Sequence, residues 1–425
     1  MRKKSKSRRK PGNDGGIGSL VMSGAQEYFM TTGDQESRVW VFEDDVLSKF
    51  PLRQFSCGNE AFRIQIIDPF AGRHPLLVNH ETLSREEVRI PFRPTVILDS
   101  NIVAYLHQFV TMQPILDSER RRTVEEFLKY VVRNRLDYNP FFYYMEGASR
   151  PGPLSRQSYS AFSESILRLH TMNDEYFLAY GQIRTNPRVL DKYRQEFSVN
   201  SFAELAECYA KRMVQPTDVR MEWTSKLGYA ALMKAGLIHK TVKRGIIAKY
   251  VELRDFMENV FNVALGRERI FALEYFAGGF DEALPIQRGA NPERVLNRIR
   301  ATAWDLQLLQ LPEAMLVADT EEGVYLSCIA SADKALCKVA RAYRVEAVMA
   351  WAPKIHVPIP VISCDLSVLS DDIGADVVDQ ISEMDASWGK SRAARLFAPE
   401  TRISWNGLDE LIGSLEKQVV GFCKS

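Results

Sequence analysis

Short segments rich in β-branched and aromatic residues follow one another in the first quarter of the chain and predict β-strands. Three such segments are SRVWVFEDD, FRIQIIDPF and VRIPFRP, with proline and glycine marking turns between them. We therefore expect a small β-rich part over residues 21–92.

The pattern changes after VILD at residues 96–99. Thr95 to Leu98 form an uninterrupted run of apolar or β-branched residues, as expected for a strand that is covered on both faces of a parallel sheet. The segment SERRRTVEEFLKYVVRNR then places Val124, Phe127, Leu128 and Val131 on one face at helical spacing. A strand followed by an amphipathic helix indicates an α/β unit.

Helical patterns dominate residues 151–289. SFAELAECYAKRMV begins with a capping box from Ser201 to Glu204, and KTVKRGIIAKYVELRDFMENVFNVAL is a long amphipathic stretch. Asn291 as cap and Pro292 in the first turn then predict a helix that continues until Pro312 stops it.

The last part of the chain mixes strands and helices. GVYLSCIASAD is a predicted strand, KALCKVARAY a helix, VMAW and HVPIPVI possible strands, and LDELIGSLEKQVVGF a closing helix. The predicted fold class is α/β, a parallel sheet flanked by helices with a β-rich amino-terminal part and a large helical insertion. Its predicted parts are residues 1–20 (disordered basic tail), 21–92 (β-rich), 93–150 (first half of the α/β core), 151–289 (helical insertion), 290–357 (second half of the core) and 358–425 (mixed).

Charge adds one feature to this picture. The net charge of the 425 residues is +1, but residues 1–10 contain seven Lys or Arg and no acid, so the rest of the chain is mildly acidic. A basic tail of this kind is suited to contact a phosphate backbone, and it is equally typical of a solubilising tail.

The absence of certain segments and cysteine motifs from the sequence predicts the cellular compartment and argues against some cysteine chemistry. No apolar run approaches the length of a membrane span, and the basic start of the chain is not followed by the apolar segment of a secretory signal, so we expect a cytoplasmic protein. The six cysteines form no CxxC pair, which argues against a zinc ribbon or a disulfide framework.

Several catalytic motifs are incomplete. WGKS at residues 388–391 resembles the end of a phosphate-binding loop, but Met384 stands where the first glycine is required. No two histidines have helical metal-binding spacing, and there is no GxSxG motif. Zinc hydrolysis and serine-type acyl transfer therefore have little support.

Two aspartates occupy the same position after predicted strands. Asp99 follows TVIL, and Asp333 follows the strand in VYLSCIASAD. Ligands of open α/β sheets bind beyond the carboxyl ends of the strands, although an aspartate there also serves as a helix cap. Both interpretations remain open at this point.

Two further acids come from predicted helices. Asp305 has Ala301, Trp304, Leu308 and Leu309 as its helical neighbours, which places a carboxylate beside an apolar face. A buried carboxylate is costly unless it is paired, hydrogen-bonded or bound to a metal, and Arg298 or Arg300 are candidate partners.

Glu146 has a different setting, because it ends the apolar run FFYYM. Carboxylates that converge at the end of a parallel sheet would form an all-oxygen site suited to Mg²⁺ or Mn²⁺. Such ions activate water and neutralise charge in phosphoryl displacement.

These residues resemble the PIN-domain nucleases, a family of metal-dependent ribonucleases that includes many bacterial toxins. VILDSN, with Asp99 and Asn101, is similar to the first motif of the family, and Glu146 to its second acid. Asp305 resembles the third acid, and Ser331 with Asp333 resembles the fourth motif, Ser or Thr, any residue, then Asp. The resemblance covers residues 95–150 and 290–355.

The resemblance implies an endoribonuclease, as a toxin or defence effector, with Mg²⁺ or Mn²⁺ held by the four acids, RNA as its partner, and an inhibitor protein or a second copy as further partners. The 159 residues between Glu146 and Asp305 imply a helical insertion. Glu125 or Glu126 are substitutes for Glu146, and Asp319 or Glu313 for an additional acid near the third.

Basic residues of the insertion and the following helix are candidates for phosphate contact, or for an ordinary solvated helix face. They are Lys240, Lys243, Arg244, Arg294, Arg298 and Arg300. A structure-specific DNA nuclease and a non-catalytic nucleic-acid-binding or scaffold protein are the alternative functions.

Overall fold

The computed structural model describes most of the chain. The described residues are 17–43, 55–85, 89–114, 116–149, 156–213, 219–263, 265–318, 323–350, 359–393 and 404–425. Residues 1–16 of the predicted basic tail lie outside them.

Strands within the described ranges form two sheets. They are β1 (Arg38–Glu43), β2 (Ser56–Gly58), β3 (Arg63–Ile67), β4 (His74–Val78), β5 (Phe92–Leu98), β6 (Asp137–Asn139), β7 (Val324–Ser331), β8 (Tyr343–Ala350) and β9 (Ile359–Cys364).

Helices of the described ranges surround these sheets. The first nine are α1 (Ile17–Thr32), α2 (His80–Ser84), α3 (Ser100–Val110), α4 (Ser118–Arg133), α5 (Phe141–Ser149), α6 (Arg156–His170), α7 (Asp174–Tyr180), α8 (Pro187–Phe197) and α9 (Phe202–Met213). They continue with α10 (Val219–Thr241), α11 (Ile246–Phe256), α12 (Gly266–Phe276), α13 (Pro292–Leu308), α14 (Leu311–Val317), α15 (Lys334–Arg341), α16 (Ser370–Ile373), α17 (Ala375–Ala393) and α18 (Trp405–Lys424).

The first sheet is mixed rather than purely parallel. Its order is β2-β3-β7-β5-β6; β5 runs parallel to both β6 and β7, whereas β3 is antiparallel to β7. Without β3, the outer edge of β7 would present unpaired backbone groups, and the hairpin of β2 and β3 pairs them. The expectation of an α/β class is confirmed, and β5, β6 and β7 are parallel as predicted, but the added β3 makes the sheet mixed rather than parallel.

The second sheet is antiparallel, with the order β4-β1-β8-β9. The amino-terminal strands therefore do not form a sheet of their own, because β1 pairs with β8 near the other end of the chain. Buried Arg73 links β8 to β1, since its guanidinium contacts Glu346 at 2.6 Å and donates to the carbonyl oxygen of Phe42 at 3.2 Å.

Helix α1 was not expected. It begins at Ile17, so the prediction of disorder does not hold for residues 17–20, and it replaces strand in the first part of the β-rich region. Ala25 and Phe29 are buried against Val39 and Val41 of β1, which explains why this segment adopts a packed helix.

The stretch from α6 to α12 is helical as predicted. The capping box is present: the Glu204 amide donates to Ser201 Oγ at 3.1 Å, and the Ser201 amide donates to Glu204 Oε2 at 3.2 Å. The long amphipathic pattern is interrupted, however, because α10 ends at Thr241 and α11 begins after Gly245. The division of the chain into domains remains a prediction.

Helix α13 lies antiparallel to α10. Gln307 donates to Thr224 at 2.8 Å, and the guanidinium of Arg300 lies 5.0 Å from the ring centre of Tyr229. Asn291 caps α13 as predicted. Pro312 does not stop a helix; it occupies the first turn of α14, where its missing amide costs nothing.

The structure bears on two features that the sequence analysis argued against, a phosphate-binding loop and a membrane-spanning helix. Residues 388–391 lie within α17, where Trp388 donates to Glu258 at 2.9 Å, so no phosphate-binding loop forms there. Among the described helices, none combines the length and the apolarity needed to cross a bilayer.

Candidate active site

The carboxyl ends of β5 and β7 bring Asp99 and Asp333 to one edge of the mixed sheet. Leu98 and Ala330 are register partners in the parallel pair, and the Asp99 amide donates to the Ala330 carbonyl oxygen at 3.1 Å. Each aspartate follows its strand and caps the next helix, α3 or α15.

Ser331 connects the two aspartates. Its buried hydroxyl donates to Asp99 Oδ2 at 2.7 Å and accepts a hydrogen bond from the Asp333 amide at 3.0 Å. The capping interactions use other atoms: Asp99 Oδ1 accepts from the Asn101 amide at 3.5 Å, and Asp333 Oδ1 accepts from the Leu336 amide at 2.8 Å. Asp99 therefore combines a helix cap with a contact to the neighbouring strand.

Glu146 approaches the same edge from α5. This helix follows β6, which is the other parallel neighbour of β5. The Glu146 side chain is buried and accepts a hydrogen bond from the hydroxyl of Ser100, the residue after Asp99. Ser100 is a contact that the sequence analysis did not identify.

Asp305 comes from α13 and is partly buried beside Trp304 and Leu306. Its carboxylate makes no hydrogen bond or ion pair with any residue in the described ranges, so the alternative pairing with Arg298 or Arg300 does not form. Arg300 contacts Glu416 of α18 instead, at 3.3 Å. Asp305 is thus a carboxylate without a counter-ion in contact.

The four acids lie within range of one another's charges. Burial, together with the charges of Asp99, Asp333 and Glu146 and against a smaller opposing effect of Arg298, raises the pKa of Asp305 to about 8. The pKa of Asp99 is raised to about 6 by burial and by the charges of Asp333 and Glu146, which outweigh the hydrogen bonds from Ser331 and Asn101. We call Asp99, Glu146, Asp305 and Asp333 the acid cluster.

The donor chemistry of the acid cluster fits a hard divalent cation. All four side chains offer carboxylate oxygens, which suit Mg²⁺ or Mn²⁺. However, within the described ranges no three His, Cys, Asp or Glu side chains surround a common point at which they could hold one ion. Three of the carboxylates are directed to local donors instead, at Ser331, Ser100 and the Leu336 amide.

The substitute acids lie elsewhere or outside the described residues. Glu125 and Glu126 form ion pairs along α4 with Lys129 and Arg122, at 2.5 Å and 3.2 Å. Neither is among the main causes of the raised pKa values of Asp99 and Asp305.

Glu313, the other alternative, is fully buried and paired with Arg267. It therefore faces a cation of the core rather than the acid cluster. Asp319 lies outside the described residues.

The predicted basic residues lie at two places. Arg298 is exposed on α13, donates to the Glu282 carbonyl oxygen at 3.2 Å and is close enough to lower the pKa of Asp305. Lys240, Lys243 and Arg244 lie at the junction of α10 and α11. Exposed Arg294 occupies the first turn of α13.

The chain matches no protein-family model, no curated protein and no solved structure.

Proposed function

We propose that this protein is a metal-dependent endoribonuclease of PIN-like fold whose active site is the acid cluster. The observation that carries the proposal is Asp305, a carboxylate without a contacting partner whose pKa is raised to about 8 by burial and by three other acids. Uncompensated carboxylates are costly, and they are retained where a cation binds them.

Each residue of the cluster has a part in this proposal. Asp99, Glu146, Asp305 and Asp333 would hold Mg²⁺ or Mn²⁺, which supplies an activated water and neutralises charge on the scissile phosphate. Ser331 orients Asp99 through the 2.7 Å hydrogen bond, and Asn101 holds its other oxygen through the backbone amide. Arg298, two helical turns before Asp305 on α13, would contact a phosphate of the substrate.

The test uses the full chain and end-labelled single-stranded RNA, with DNA of the same sequence in parallel. We expect cleavage of RNA with Mn²⁺ or Mg²⁺, none with EDTA, and loss of cleavage in Asp99→Asn and Asp333→Asn. Glu125→Gln is the matched control, since it removes one carboxylate charge from an ion pair on α4. Metal-dependent cleavage retained by Asp99→Asn would contradict the proposal, and cleavage of DNA alone would assign a DNA nuclease.

A non-catalytic nucleic-acid-binding protein is the second candidate. It is favoured by one observation, that three of the carboxylates accept hydrogen bonds from local donors and no three acids of the described ranges surround one point. This candidate predicts RNA binding without product in Mn²⁺, and binding that is unchanged in Asp99→Asn.

A further inference from the structure

The junction of α10 and α11 carries basic side chains that are not neutralised. Lys240, Lys243, Arg244 and Lys249 form no ion pair with a carboxylate anywhere in the described ranges. The nearby Glu252 is used by Lys234, at 3.4 Å. Like charges held close together repel, so a group of cations that form no ion pair indicates an anionic ligand. We call these four residues the basic cluster.

His239 accepts a hydrogen bond from one of these cations, Lys249, but does not neutralise its charge. The Lys249 ammonium lies 3.4 Å from His239 Nδ1, so the ring nitrogen accepts from the ammonium. Burial, together with the charges of Lys249 and Lys240, lowers the pKa of His239 to about 4, and the ring is neutral at physiological pH. Asp281 is the acid that acts on His239, and it makes no ion pair with any residue of the described ranges.

The backbone adds to the positive potential. Helix α11 has 11 residues and begins after Gly245, whose lack of a side chain leaves the first amides of the helix without a side-chain cap. Free amides and the helix dipole at such an end favour an anion.

The position of the basic cluster relative to the acid cluster follows from the packing of two helices. Gln307, two residues after Asp305, contacts Thr224 on α10, and Lys240 lies 16 residues further along α10. At 1.5 Å per residue this is roughly 24 Å. Because α13 is antiparallel, Arg298 lies between the two ends, two helical turns from Asp305.

A path of local contacts leads from Arg298 toward the basic cluster. Arg298 donates to the backbone of Glu282, the preceding residue is Asp281, and Asp281 lies close enough to affect the pKa of His239. A single phosphate would contact only one end of this path, whereas a polymer with evenly spaced phosphates would follow all of it.

We propose that the basic cluster binds the phosphate backbone of a single-stranded RNA several nucleotides away from the scissile bond, with Arg298 as the intermediate contact. This inference rests on the proposed ribonuclease function for the identity of the ligand. It assigns to the helical insertion the role of holding the strand.

The experiment measures binding without cleavage. A fluorescent single-stranded RNA is titrated with the full chain in EDTA, by anisotropy at several salt concentrations. The test variant is Lys243→Glu/Arg244→Glu, both exposed and outside the core. The control is Arg188→Glu/Lys192→Glu on α8, which changes the net charge equally at two other exposed basic residues.

We expect the test variant to lose about tenfold or more in affinity and to reduce the salt slope by about 1.4, the value for two lost phosphate contacts. The control should bind like the unmodified chain. An equal loss in both variants, or no loss in the test variant, would overturn the proposal. A further outcome would be that inorganic phosphate displaces RNA more strongly than chloride does at equal ionic strength. That result would identify free phosphate as the ligand and would overturn the proposal.

The outcomes separate this inference from the proposed function. RNA binding in EDTA that depends on the basic cluster, without cleavage in Mn²⁺, would support the inference and contradict the proposed nuclease function. Metal-dependent cleavage by a protein whose RNA affinity does not depend on the basic cluster would support the nuclease and overturn the inference. Binding of phosphatidylserine vesicles, but not RNA, through Lys243 and Arg244 would overturn the inference in favour of a membrane surface.

Discussion

The hydroxyl of Ser331 donates a 2.7 Å hydrogen bond to the carboxylate of Asp99, across the parallel pair of β7 and β5. Both side chains are buried, and the same serine oxygen accepts from the Asp333 amide. The relative position of two acids from distant parts of the chain thus depends on one small polar side chain.

Ser331→Ala should weaken the protein in a pH-dependent way. Removing the donor leaves buried Asp99 with one fewer hydrogen bond, so we expect a loss of about 1 to 3 kcal/mol in the free energy of unfolding. The hydrogen bond favours the charged form, so its loss raises the pKa of Asp99 above about 6. Urea unfolding above and below that pH should therefore show the larger loss at the higher pH.

Ser327→Ala on the same strand is the control for this measurement. Its hydroxyl is also buried but lies 3.5 Å from Met315 Sδ and touches no acid. We expect a smaller loss that does not vary with pH. Equal and pH-independent losses in both variants would contradict the role given to Ser331.

Asp305→Asn should stabilise the metal-free protein. The folded-state pKa of about 8 lies above the ordinary value near 4, so the folded state binds more protons between these limits and its stability falls as the pH rises through them. Asparagine cannot ionise and removes this penalty, on the order of 1 to 3 kcal/mol after allowance for partial exposure.

Thermal unfolding in EDTA provides the measurement for Asp305→Asn. The variant should unfold at a higher temperature than the unmodified chain above pH 8, and at a similar temperature below pH 4. Cleavage should be lost at the same time. A variant that is destabilised at all pH values and still cleaves RNA would show that Asp305 is only a structural partner.

Glu313→Gln should lower stability and spare activity. Glu313 and Arg267 are both buried and paired, and the guanidinium lies 4.8 Å from the ring centre of Tyr343. Breaking such a pair from one side costs about 3 to 5 kcal/mol because an unpaired charge stays buried. The double variant Arg267→Met/Glu313→Leu should recover most of that loss in a urea unfolding experiment.

Activity per folded molecule decides the role of Glu313. If Glu313 belonged to the active site, Glu313→Gln would lose cleavage at unchanged stability. We expect instead that Glu313→Gln lowers stability and leaves cleavage per folded molecule unchanged.

The sequence predicted those features that are local. Asp99 and Asp333 were found because a strand pattern ends and a helix pattern begins at each. Asp99 caps α3, as one of its two interpretations predicted, and its part in a ligand site stays a prediction. Asp305 was found because its neighbours at helical spacing are apolar, and a carboxylate is unusual on such a face.

Features that depend on distant residues were missed. The pairing of β1 with β8 joins segments that no local pattern connects, so two sheets were taken for one small β-rich part and one core. Ser100 and Lys249 gave no signal, because their contacts with Glu146 and His239 exist only after the helices have packed.

The parallel pairing of β5 with β7 has a consequence for biosynthesis. About 225 residues separate the two strands, and a ribosome adding 5–20 residues per second needs roughly 10 to 45 s to make them. During that interval Asp99 has neither Ser331 nor Asp333 beside it, so an unfinished chain carries no acid cluster. Under the ribonuclease function proposed above, a nascent chain would be unable to cleave RNA, including the message from which it is being translated, until Asp333 has emerged.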